Sequence, residues 1–233
     1  MINNEILREY DIRGIYGSSL KKYDIILIAD AISSIIIDNK MPEIIIGHDG
    51  RDSSLEIKNL LVVSMNNNGV NVIDISLVPT PLCYYATNKL DIPNSIMITG
   101  SHNPQEYNGF KFIINKEPFY GQQIKNLNNI KIKDNPDKIG LLKHTDIVST
   151  YLNEIPKKLN IKKDLKIAWD IGNGVVGSMF HSLLKKIPGK HIVINSSVDG
   201  NFPNHHPDPT VLKNNIQISK LVQEQNCDLG ISF

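Results

Sequence analysis

The chain has 233 residues, of which 41% are hydrophobic and 21% charged, a composition that fits one large or two medium globular domains and excludes disordered and fibrous classes. Lys plus Arg number 25 against 24 Asp plus Glu, so a net charge of +1 offers no basic field for nucleic acid or an anionic membrane, although a local anion site stays open. The two cysteines, Cys83 and Cys227, share no C-x-x-C spacing, which argues against a disulfide scaffold or thiolate zinc site and makes a reducing cytoplasm the expected compartment.

In chain order, the opening "MINNEILREYDIRG" carries Glu5, Arg8, Glu9 and Asp11 where an export signal needs an uninterrupted apolar run. The oily stretch Ile25 to Ile37 is broken by Asp30, Ser33 and Ser34 and is shorter than the roughly 20 residues of a membrane span, so it reads as an amphipathic helix. From Glu43, "EIIIG" predicts a strand and "HDGRD" a polar loop. A helix should then begin at Ser53, with Glu56 at capping-box spacing, and stop at Gly69. The run "VNVIDI", a helix through "PTPLCYYATNKL" and the run "SIMIT" continue the alternation. A hairpin follows, in which Asn108-Gly109 is expected to supply the turn before a strand from Phe110 to Asn115.

The segment "NNIKIKDNPDKIGLLKHTD" has linker composition and suggests a boundary near residues 140–150, with domains over 1–145 and 146–233. Beyond it come a helix in "VSTYLNEIPKKL", a strand "LKIAWD", the glycine turn "IGNGVVG", a helix "SMFHSLLKK", a strand "HIVINS", a Pro-rich loop, a helix in "NNIQISKLVQEQ" and a last strand "DLGISF". The expected class is α/β: two tandem domains with mixed sheets covered by helices, the second truncated at its last strand.

Candidate chemistry centres on "MITGSHNPQEYNGFKF". Ser101 stands after flexible Gly100 and before His102, Asn103 and Pro104, so a tight turn should present its hydroxyl. Such turns are usually only surface structure. A serine nucleophile needs a base or a metal, and the G-x-S-x-G elbow is absent, which leaves Lys111 as the nearby cation able to handle charge or a proton. The string "GNGVVG" from Gly172 to Gly177 matches a dinucleotide fingerprint between strand and helix, but no acid ends the following strand, so a tight turn is the better reading. His205 and His206 with Asp208 suggest a metal site that adjacent residues on an extended chain serve poorly. The loop "HDGRD" from His48 to Asp52 reads either as a turn and helix cap or, through Arg51 at the helix entrance, as a place to meet an anion.

Together, "YDIRGIYG", "GHDGRDS", "MITGSHNPQEYNGFKF", "WDIGNGVVG" and "VDGNFPNHHPDP" resemble the α-D-phosphohexomutase family, in its bacterial phosphomannomutase/phosphoglucomutase branch, over essentially the whole chain. The resemblance implies that Ser101 is a phosphoserine passing its phosphoryl group to a phosphohexose. Lys111 would handle the proton at the sugar hydroxyl, and His102, Tyr10 and Arg13 would line the same cleft. Position 48, often arginine in relatives, is His48 here. The family's Mg²⁺ is implied to meet Ser101 through its phosphate oxygen, with the other ligands in a D-G-D-x-D-R loop that would follow "DLGISF"; the sequence ends before it, at Phe233.

The expectation is therefore the N-terminal part of a phosphohexomutase that interconverts hexose 1-phosphate and hexose 6-phosphate, primed by a hexose bisphosphate. A separate chain carrying the C-terminal half would be its partner. The alternatives are a catalytically silent fragment or binding module, and a dinucleotide-binding protein using "GNGVVG".

Overall fold

A computed structural model describes residues 1–132, 139–161 and 163–233. They form two compact units, Met1–Ser101 with Glu106–Ile147, and Val148–Phe233 with the short segment His102–Gln105. The middle of the linker-like segment, 133–138, lies outside the described residues.

The first unit contains β1 (Ile12–Ile15), α1 (Lys22–Asp38), β2 (Glu43–His48), α2 (Ser54–Asn67), β3 (Asn71–Leu77), α3 (Thr80–Lys89), β4 (Ser95–Ile98), β5 (Tyr107–Ile114), β6 (Glu117–Phe119), α4 (Gln122–Lys125) and β7 (Leu142–His144). Among the described residues its sheet has seven strands, in the order β1-β5-β4-β2-β3-β7, with β6 paired to β5. Strands β4, β2, β3 and β7 are parallel, while β5 runs antiparallel to β1, β4 and β6. Ile44, Ile45 and Ile46 of β2 are all fully buried, as a central parallel strand covered on both faces requires.

In α1 the apolar spacing puts Ile25, Ile28, Ala29, Ile32 and Ile36 on one stripe, all fully buried. The polar breaks in that oily run serve the contact with α2. Asp30 accepts hydrogen bonds from Ser64 Oγ at 2.6 Å and Asn68 Nδ2 at 2.7 Å, which satisfies a carboxylate in a helix interface.

Three local expectations are corrected. The capping box at α2 does not form, because Glu56 accepts from Tyr16 Oη at 2.7 Å and from Lys22, and Ser53 makes no side-chain cap. Asn108 and Gly109 lie inside β5, and the chain turns across 99–106 instead. Glycine is needed at 109 for a different reason: a Cβ there would sit 1.9 Å from the Ile12 carbonyl oxygen of β1. Finally, Leu142–His144, inside the presumed linker, adds a parallel edge strand to β3.

The second unit contains α5 (Ile147–Glu154, whose first residue belongs to the first unit), β8 (Lys166–Asp170), α6 (Gly177–Leu184), β9 (Lys190–Ile194), α7 (Ile216–Glu224) and β10 (Leu229–Ser232). Its three described strands are parallel, in the order β10-β8-β9. Its small core gathers Ile167, Trp169, Ile171 and Phe180, with the Trp169 and Phe180 rings edge to face at 5.1 Å. No helix among the described residues is long and apolar enough to cross a membrane.

Cys83, on the buried face of α3, is fully buried, and that burial pushes its thiol from 9.0 up to about 12. The unfolded chain therefore releases this proton first, so Cys83 contributes stability below pH 9.0 that is lost as pH rises toward about 12. We expect native chain at about pH 8.5 to be alkylated at half-exposed Cys227 and spared at Cys83. Peptide mapping after iodoacetamide checks this, and equal labelling of both thiols contradicts it.

Candidate active site

The candidate site is built at the C-terminal end of the parallel strands, where β2 and β4 release the chain. Asp49, the residue after β2, accepts from Ser54 Oγ at 2.6 Å and from the Arg51 backbone N–H at 3.1 Å through one carboxylate oxygen. Its other oxygen accepts from Arg51 Nε and from the Gly100 N–H, each at 3.2 Å. Asp49 and Arg51 are 8% and 3% exposed. Arg51 continues outward from this pair: Nη1 donates to the Tyr107 carbonyl at 3.1 Å and Nη2 to the Ser101 carbonyl at 2.8 Å. Burial lowers the Arg51 pKa, while the Asp49 carboxylate acts in the opposite direction.

This arginine therefore grips both ends of the serine turn. Gly100 lets it do so, because a Cβ there would lie 2.5 Å from the guanidinium carbon. The anion-binding alternative for Arg51 is set aside, since the side chain is buried and spent on carbonyl oxygens and a carboxylate. Its place was legible in the sequence, its burial was not.

Ser101 is half-buried, with φ +52, a left-handed conformation that costs a non-glycine residue on the order of 1–3 kcal/mol. Its N–H donates to Thr99 Oγ1 at 2.9 Å and its carbonyl is held by Arg51. The backbone is thus secured on both sides, while the hydroxyl forms no hydrogen bond among the described residues. His102 is exposed on the same turn.

Lys111 points from β5 toward Asp11, whose Oδ2 accepts from Lys111 Nζ at 3.2 Å and from Arg13 Nη2 at 2.6 Å. Asp11 is 5% exposed. Two cations thus share one buried carboxylate, a local surplus of positive charge on a nearly neutral chain. Sequence reasoning does not single out Asp11, which lies just before β1, two residues from Arg13. Beside Lys111 lies an open pocket of ≈ 530 Å³ lined by Tyr10, Tyr84, Pro118, Phe119 and Tyr120 among others. Tyr10 and Lys111 therefore share a pocket and Arg13 joins them through Asp11. Among the described residues no hydrogen bond ties Ser101 to this group.

For the family's metal, the donor set here does not fit. Among the described residues no group of three His, Cys, Asp or Glu is placed to hold an ion. The acids beside the candidate residues are already committed, Asp49 to Arg51 and Ser54, Asp11 to Arg13 and Lys111.

The second unit resolves the two other motifs. Asp170, fully buried at the end of β8, accepts from the Gly172 N–H at 3.0 Å and Asn195 Nδ2 at 2.9 Å, and His205 Nε2 lies 3.0 Å from its other oxygen. A carboxylate thus occupies the turn amide that a dinucleotide phosphate would need. His205 faces Asp170, and Asp208 caps Thr210, accepting from its N–H at 3.0 Å and its Oγ1 at 2.6 Å. Asp170, His205 and Asp208 fasten loops, and among the described residues His205, His206 and Asp208 form no ligand cluster.

Removing Arg51 leaves a buried carboxylate with no counter-charge. We expect Arg51→Met to lose about 3–5 kcal/mol of unfolding free energy in urea and to open the 99–106 turn to proteolysis. A loss below about 1 kcal/mol contradicts a fully desolvated pair.

Residues 4–137 match the family domain described as phosphoglucomutase/phosphomannomutase, alpha/beta/alpha domain I, and residues 149–233 match its domain II. The phosphomannomutase/phosphoglucomutase of Pseudomonas aeruginosa is 37% identical over 229 residues, covering 98% of this chain and 50% of that protein. The phosphoglucomutase of Neisseria meningitidis is 35% identical over 235 residues, covering 100% and 51%. A crystal structure of a phosphoglucomutase/phosphomannomutase family protein from Burkholderia thailandensis superposes with a TM-score of 0.92 at 30% identity, over 100% of this chain and 53% of that one. The chain spans about half the length of the relatives it matches. Sequence strings, domain order and fold agree: this chain belongs to the phosphoglucomutase/phosphomannomutase family and carries its domains I and II.

Proposed function

We propose that the chain supplies the phosphate-carrying part of a phosphohexomutase, in which Ser101 holds a phosphoryl group and exchanges it with a hexose phosphate. One observation carries this reading: a half-exposed serine hydroxyl without a hydrogen bond of its own, on a left-handed backbone gripped from behind by a buried arginine. Such a turn spends backbone strain to fix where an oxygen points, which is what positional catalysis of phosphoryl transfer requires.

In the proposed cycle the Ser101 O–P bond breaks as a new O–P bond forms to a sugar hydroxyl. Lys111, held by Asp11, relays that hydroxyl's proton, giving one of its own to water as it takes the sugar's. The hexose bisphosphate so formed turns over, and its other phosphoryl group returns to Ser101, so hexose 1-phosphate and hexose 6-phosphate interconvert. Arg13 and Tyr10 bind the substrate beside Lys111, and exposed His102 accompanies Ser101 on the turn. Residues 1–145 and 146–233 are assigned as the corresponding domains I and II. Mg²⁺ supplies charge neutralisation in this family and, among the described residues, the acids beside these side chains do not form a site for it.

Incubated with a hexose bisphosphate, the chain should gain one phosphoryl group, found on the Ser101 peptide by mass spectrometry and missing in Ser101→Ala. A wild-type chain that stays unmodified overturns the reading and favours a silent binding module. Glucose 1-phosphate conversion with Mg²⁺ by this chain alone should be negligible, and strong turnover removes the dependence on further residues. NAD(P) should leave the melting temperature unchanged, whereas a concentration-dependent rise revives the dinucleotide alternative.

A further inference from the structure

The pocket beside Lys111 has a feature the phosphate chemistry does not use. Tyr10 and Tyr120 stack with ring centroids 6.4 Å apart and planes 24° apart, and both are well exposed, at 76% and 51%. Tyr84 completes the wall, 38% exposed. Three tyrosines at one opening form a local aromatic surface.

The chain around them is fastened. The Gly121 N–H donates to the Glu9 carbonyl at 2.6 Å, Lys125 Nζ to Glu9 Oε2 at 2.7 Å, and the Tyr120 N–H to Gln123 Oε1 at 3.2 Å. Tyr10 and Tyr120 thus flank one cross-link between the Glu9 and Gly121 segments, and strand pairing of Phe119 with Phe112 fixes the residue before Tyr120. The backbone that carries both rings is thus fixed, which lowers the cost of ordering them on a ligand. Burial raises the Tyr84 pKa, with smaller contributions from Cys83 and Asp11.

A pyranose has two kinds of surface. Its hydroxyls project around the rim, and its ring C–H groups make faces that are apolar and slightly positive, matching the negative face of an aromatic ring. An aromatic wall next to two cations on one carboxylate suits a molecule with both an apolar face and an anionic group. Inorganic phosphate has only the second.

We propose that Tyr120 is a substrate-positioning residue, whose ring, stacked with Tyr10, receives a C–H face of the hexose phosphate beside the cations at Asp11. This rests on the phosphohexomutase reading of the site and assigns the sugar-ring contact within it. The contact orients the ring before transfer and depends on the Tyr120 ring, not on its hydroxyl.

The test titrates the whole chain with glucose 6-phosphate and, separately, with inorganic phosphate, followed by NMR chemical shifts. Tyr120→Ala should weaken glucose 6-phosphate binding about tenfold, Tyr120→Phe should stay within about twofold of wild type, and inorganic phosphate binding should be unchanged in both. Unaltered melting temperatures confirm that the variants fold. The inference is overturned if wild type shows no saturable sugar-phosphate binding, if Tyr120→Ala binds as wild type does, if it loses inorganic phosphate equally, or if Tyr120→Phe is as weak as Tyr120→Ala. Ser101 phosphorylation is read on the same samples. A phosphorylated chain with Tyr120-independent sugar binding overturns this inference alone. An unphosphorylatable chain with ring-dependent sugar binding overturns the phosphate-carrier reading alone.

Discussion

The buried pair of Asp49 and Arg51 is the constraint on which the candidate site depends. Removing two charges from water is costly, and proximity alone does not recover that cost; the remaining donors and acceptors must also be filled. Here they are filled by the structure that has to be ordered. Asp49 takes the Gly100 amide and the Ser54 hydroxyl, and Arg51 takes the carbonyls of Ser101 and Tyr107. The start of α2, the end of β4 and the start of β5 are therefore satisfied together or not at all, and Ser101 inherits its geometry from that closure.

The second unit uses the same device without an arginine. Asp170 ends the central strand of its parallel sheet as Asp49 follows a central strand of the first, and it too fastens the next turn through a backbone amide. Its partners are Asn195 and His205, drawn from the end of β9 and from the Pro-rich loop. In both units the crevice above the parallel strands is the place where α/β sheets gather polar groups. One aspartate ends up behind a serine and the other behind a glycine turn. This contrast explains why a dinucleotide-like string does not make a dinucleotide site here.

Around Lys111 the logic changes from saturation to surplus. Asp11 has two cationic partners and, among the described residues, is the carboxylate partner of both, so the region stays electropositive although the chain as a whole is nearly neutral. The neighbouring tyrosines add apolar area that holds shape without charge. Net charge describes none of this, because binding depends on the local field and on the surface beside it.

The sequence by itself determined the alternation of strands and helices, the buried stripe of α1, the position of the serine turn and the family, because these depend on residue order and short-range periodicity. Asn108-Gly109 shows the limit: a pair that reads as a turn lies inside β5, since the Ile12 carbonyl crosses where a side chain would be. Glu56 likewise has the spacing of a cap and instead meets Tyr16 and Lys22, and Leu142–His144 has the composition of a linker and forms a strand. Only the tertiary structure decided that Arg51 is buried, that Asp11 lies between Arg13 and Lys111, and that Tyr120 faces Tyr10. Arg51 with Ser101 and Tyr107, Asp11 with Lys111, and Tyr10 with Tyr120 join residues tens of positions apart, and their energy depends on how much water the fold removes from around them, a quantity that no local pattern contains.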